Sequence, residues 1–126
     1  MTHPTSSETT FNDEKLDALI EAVAAGEEYI ERDIQDAFGG YRKSEVSRMV
    51  IGAYHGSLDA AKALHEALLP GYSWYLGHLD EPMLGYCATV SHGHFADSPS
   101  WRGFSADPAR AWLLAILKAY RTQVTK

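Results

Sequence analysis

Residues 57–71 read SLDAAKALHEALLPG, and YSWYL follows at 72–76. Within this stretch the apolar period changes from that of a helix to that of a strand, and the change decides the fold class. Leu58, Ala61, Leu64, Ala67 and Leu68 recur at helical spacing and make one apolar stripe. Ser57 is placed to cap the first turn, and Asp59 lies in that turn, where the helix dipole favours an acid. Pro70-Gly71 cannot continue a helix, so the chain must turn there. Beyond the turn, YSWYL is bounded by Gly71 and Gly77 and predicts a strand.

Working outward from this point, LGYCATVSH at 84–92 predicts a second strand, with HLDEPM before it as a hairpin connection. A third short strand is expected to start near Phe95 or near Trp101. The stretch ADSPSWRGFSA, with its Pro, Gly and three Ser, predicts irregular structure. In DPARAWLLAILKAYRTQ, Asp107 is the expected N-cap and Pro108 the first helical residue. Ala109, Trp112, Leu113, Ile116, Leu117 and Tyr120 give that helix one broad buried face.

Upstream, a helix is expected from Asn12 or Asp13 through KLDALIEAVAA, with Leu16, Leu19, Ile20 and Val23 inward and Gly26 as its stop. A second is expected over EEYIERDIQDAF, with Ile30, Ile34, Ala37 and Phe38 on one side and Gly39-Gly40 at its end. SEVSRMVIGAYH at 44–55 suits a helix with Val46, Met49, Val50 and Ala53 inward. Its β-branched and aromatic content also suits an extended segment, and helix is preferred. The first ten residues, MTHPTSSETT, read as a disordered tail, leaving residues 11–126 as a single domain. The expected class is α+β: a helix-sheet-helix sandwich, with helices on both sides of an antiparallel sheet of about three strands.

Composition narrows the function classes. The chain has 126 residues, 45% of them hydrophobic, and a net charge of -6. Residues 1–70 hold 13 acids against 6 Lys or Arg, and residues 71–126 hold 4 against 5. An acidic first half argues against binding duplex nucleic acid, which needs a basic face. No apolar run approaches the ~20 residues that cross a membrane, and the N-terminus has no signal-peptide pattern. Cys87 is the only cysteine, so no disulfide and no cysteine-cluster zinc site can form within the chain, and a cytoplasmic location fits.

Three motifs in order, SLDAAKALHEALLPGYSW, the aromatic hairpin after it, and SADPARAWLLAILKAY, resemble the small phage and prophage proteins of the phage ABA sandwich domain family. The resemblance covers roughly residues 13 to 122. Tyr72 stands at the aromatic position after Pro70-Gly71, and Asp107 replaces the family's usual Thr. It implies a helix-sheet-helix sandwich in the cytoplasm of a bacterial host, and it implies no activity and no catalytic residues.

The candidate sites are few. Asp59, His65 and Glu66 share one helix, but Asp59 and Glu66 are two turns apart, about 10 Å by helix rise, too far for a tight acid-base pair. His92-Gly93-His94 could face one way on a strand, with Cys87 and Asp97 near in sequence, yet Gly93 and Pro99 suggest a loop rather than a metal cradle. No Gly-x-Ser-x-Gly, Walker or dinucleotide motif is present. No catalytic residue, metal or cofactor is therefore expected, and the chain reads as a non-enzyme. Trp74, Tyr86, Trp101, Arg102 and Arg110 are the expected ligand-binding set, because aromatic planes stack on a base and an Arg fork grips a phosphate. The expected partner is a small nucleotide ligand held by a homo-oligomer, as in sequestration of an immune signal. The alternative is an acidic module that acts on a host protein.

Overall fold

The computed structural model describes residues 4–27, 34, 37–38, 43–78, 85–93 and 98–124. Among these residues four helices and three strands are formed: α1 (Pro4–Ala25), α2 (Lys43–Tyr54), α3 (Leu58–Leu68), β1 (Ser73–His78), β2 (Tyr86–Ser91), β3 (Ser100–Ser105) and α4 (Pro108–Val124). The class is α+β, with helices before and after a three-stranded antiparallel sheet of order β1-β2-β3. Residues 43–54, ambiguous in sequence, are helical.

The helix ends follow local chemistry. At the end of α1, Gly26 takes φ +74°. The amides of Gly26 and Glu27 then close back on the carbonyls of Val23 and Ala22 at 3.2 and 3.1 Å. Helix α2 ends in the same way at Gly56 (φ +103°), and Ser57 caps α3 at once through a 3.1 Å bond from the Ala60 amide. Asp107 accepts the Arg110 amide at 3.0 Å, as an N-cap should. The start of α1 is corrected: it lies at Pro4 rather than at Asn12 or Asp13. Proline suits a first turn, where its missing N–H and fixed φ cost nothing. Most of the helix expected over 27–38 lies outside the described residues. Within it, Ile34 and Phe38 are buried, and the Phe38 amide bonds the Ile34 carbonyl.

Helix α4 organises the molecule. The sequence predicts one broad apolar face, but Ala111, Leu114, Ala115 and Ala119 are buried too, so it is enclosed on nearly every side. It packs on β2 and β3 on one side and on α1, α2 and α3 on the other. Among the described residues, α4 thus lies between the sheet and helices α1, α2 and α3. An all-round apolar helix serves as core for both the sheet and the outer helices.

The third strand, expected to start near Phe95 or near Trp101, is SWRGFS, so that part of the stretch read as irregular is corrected to β3. The signal that misleads is Gly103. A Cβ there would lie 2.2 Å from the Ala111 carbonyl oxygen and 2.7 Å from the Ala115 nitrogen. The glycine is the point of closest approach between strand and helix, not a turn residue.

Candidate binding site

Side chains alternate across a sheet, so the register sorts every strand residue to a face. Trp74 pairs with Val90 and Val90 with Trp101. Leu76, Ala88 and Gly103 form the next row, and His78, Tyr86 and Ser105 the last. These rows face α4. The pairing Ser73↔Ser91 then carries Tyr72 and His92 to the same face, one step beyond the strand ends.

At that end an aromatic cluster forms. The rings of Tyr72 and His92 stack at 4.5 Å with 19° between planes, and the Trp101 ring lies 6.2 Å from that of Tyr72. Trp101 Nε1 donates to Thr122 Oγ1 at 3.1 Å, tying the indole to the last turns of α4. Between these groups lies an open hollow of about 380 Å³, bordered by Tyr72, His92, Pro99, Trp101, Thr122 and Gln123. On the other side of the Pro70-Gly71 turn a second, more open hollow of about 340 Å³ is bordered by Glu66, Pro70, Tyr72 and Trp74.

The floor of the second hollow is rigid. Trp74 is 45% exposed, and its ring lies 4.1 Å from that of the buried Trp112. Trp112 Nε1 donates to His65 Nδ1 at 3.4 Å, which leaves Nε2 as the nitrogen that carries hydrogen and donates to the Tyr72 carbonyl at 3.0 Å. His65, 3% exposed, is thus a core residue with both ring nitrogens used. Asp59 and Glu66, from the same helix, point to solvent.

The expected set Trp74, Tyr86, Trp101, Arg102 and Arg110 is divided by this geometry. Trp74 and Trp101 flank Val90 from the two outer strands, about 10 Å apart by strand spacing. Tyr86 lies four residues down β2, about 13 Å away along the strand, edge-on to His78 at 4.9 Å. Arg102 is on the opposite face of the sheet, exposed, and only its carbonyl meets α4, accepting from Lys118 Nζ at 2.8 Å. Arg110 is committed elsewhere. Its Nε and Nη2 donate to the Tyr54 carbonyl at 3.2 and 2.9 Å, and its guanidinium carbon sits 4.0 Å over the Tyr54 ring. Sequence reasoning missed Tyr72 and the stacking role of His92, because twenty residues separate them and only the register brings them together.

Among the described residues, no group of three or more His, Cys, Asp or Glu side chains is arranged to hold a metal ion; His94 and Asp97 lie outside them. No described helix is long and apolar enough to cross a membrane. Compared with known protein families, curated proteins and solved structures, the chain matches none.

Proposed function

We propose that the chain is a small non-enzymatic binding protein whose hollow at Tyr72, His92 and Trp101 receives a planar, nucleobase-type ligand. The observation that carries this reading is the aromatic cluster itself. A stacked Tyr72–His92 pair and an indole pinned by Thr122 border about 380 Å³ of open space. That volume lies within the range typical of small-molecule pockets. Preset rings bind a flat ligand without ordering cost, and stacking on an aromatic side chain contributes about 1–3 kcal/mol per base. The exposed Gln123 amide at the rim offers both a donor and an acceptor to a base edge. Phosphate recognition contributes less here, because Arg110 is spent on Tyr54 and Arg102 faces the other way. The resemblance to phage ABA sandwich proteins supports a use in a bacterial cytoplasm, where trapping a nucleotide-type immune signal would oppose host defence.

Isothermal titration with nucleosides, mononucleotides, cyclic nucleotides and ADP-ribose-type compounds tests the proposal. Binding to at least one is expected, with affinity reduced about tenfold or more in Trp101→Ala, the loss of one stacking plane. Absence of heat across the panel, with a correctly folded protein, would rule the reading out.

A further inference from the structure

The face of the sheet turned away from α4 carries Ser73, Tyr75 and Gly77 on β1, Cys87, Thr89 and Ser91 on β2, and Ser100, Arg102 and Phe104 on β3. Tyr75 is 70% exposed and Phe104 47%, and Arg102 is exposed beside them. A chain of net charge -6 places no carboxylate among these nine positions. Exposed aromatics with an arginine, on a carboxylate-free patch of an acidic protein, form a surface suited to a protein contact.

We propose that a second copy of this chain docks on this face, about a two-fold axis that runs along β2 between the two sheets. The register makes the face self-complementary in that arrangement. Rotation about the central strand lays β3 of one copy over β1 of the other. Arg102, level with Thr89 and Tyr75, then meets the second copy's Tyr75. Phe104, level with Cys87 and Gly77, meets the second copy's Gly77. The Tyr75 ring already lies across Gly77, with its Cε2 3.1 Å from where a Cβ would be, so Phe104 and Arg102 meet the same aromatic ring. An edge or stacked ring contact and a cation over a ring face are each favourable. The other in-plane two-fold, perpendicular to the strands and centred on the Arg102–Thr89–Tyr75 row, would bring Arg102 onto its own copy, where like charges repel. Packed sheets turn by about 30°, which keeps these pairings near the axis.

The size of the face sets the strength. Three six-residue strands cover about 20 by 14 Å, so two copies bury less than the ~1,200 Å² of a standard interface. The dimer is accordingly weak and concentration-dependent, and it does not involve the aromatic hollow on the opposite face. Residues Cys87 and Thr89 lie on the axis, and Cys87 is the only cysteine in the chain.

The test is sedimentation equilibrium of the full chain from about 10 µM to 1 mM, the range expected of a weak interface. It is combined with cross-linking by a bismaleimide whose spacer spans the ~10 Å between packed sheets. The mass is expected to rise from 13.9 kDa towards twice that value. A covalent dimer through Cys87 should accumulate in step with the non-covalent one. Arg102→Glu and Phe104→Ser, each folded by circular dichroism, should weaken association at least tenfold and remove the cross-link. Three results would overturn the proposal: a monomer throughout, a dimer that the cross-linker cannot join at Cys87, or association unchanged in Arg102→Glu. Nucleotide titration of the same variants reads the hollow separately.

Discussion

Gly103 and His65 show how much a single position can carry in this protein. A methyl group at 103 would meet the Ala111 carbonyl oxygen at 2.2 Å, a backbone atom that cannot move aside without displacing α4. Gly103→Ala is therefore expected to destabilise the fold by about 3 kcal/mol, the upper range for overpacking, seen as a lower urea midpoint with an unchanged slope. His65 contributes differently, by accepting from Trp112 and donating to the Tyr72 carbonyl. His65→Leu fills the space but strands a buried indole N–H and a carbonyl. A loss of about 2 kcal/mol is expected, with a change in tryptophan fluorescence. A milder effect in His65→Gln would support the hydrogen-bond account, and an equal one would oppose it.

Between elements, two arginines act as ties. Arg110, in the first turn of α4, donates two bonds to the last carbonyl of α2 and covers the Tyr54 ring, whose hydroxyl in turn bonds the Glu27 carbonyl past the end of α1. One side chain thus joins three helix ends, with its charge at the negative end of the α2 dipole. Arg110→Met is expected to cost about 2–3 kcal/mol, the worth of charge-assisted hydrogen bonds plus a cation–π contact. Ligand affinity of the folded protein should stay unchanged, and reduced affinity would return Arg110 to the binding set. Arg121 forms a two-bond pair with Asp17, at 2.8 and 3.1 Å, and so fastens α4 to α1. The hydrogen bonds from Arg121 hold the Asp17 carboxyl below its usual value, more than burial raises it. A lowered folded-state pKa means that this stability is present above the unfolded value near 3.8 and is lost as pH falls through the folded value. The pair is partly exposed, so Asp17→Asn should cost under about 1 kcal/mol at pH 7. That difference should shrink in denaturation curves as the pH falls through the lowered folded value, below which both states bind the proton.

Across the whole molecule, local signals and long-range geometry divide cleanly. Capping by Ser57 and Asp107, the Gly26 stop, the helical stripes and the helix-to-strand turn at Pro70-Gly71 could all be read along the chain, because each depends on neighbours within a few residues. The α+β class follows from the switch of period at residues 57–76, which no distant contact reverses. The candidate site was less legible. Trp101 and Trp74 were recognisable as aromatic candidates, but Arg110 and Arg102 have sequence chemistry identical to ligand-gripping arginines. Only the fold turned one towards Tyr54 and the other to the far face of the sheet. The pairing of Tyr72 with His92, the glycine that admits α4 against β3, and the enclosure of α4 between sheet and helices were likewise tertiary outcomes. They are set by strand register and by one enclosed helix, quantities that arise from packing between residues far apart in sequence. By itself the sequence determined the helical stripes, the first hairpin and the α+β class; the extent of β3 and which side chains meet were decided only when those segments packed, since contact depends on register and burial rather than on local preference.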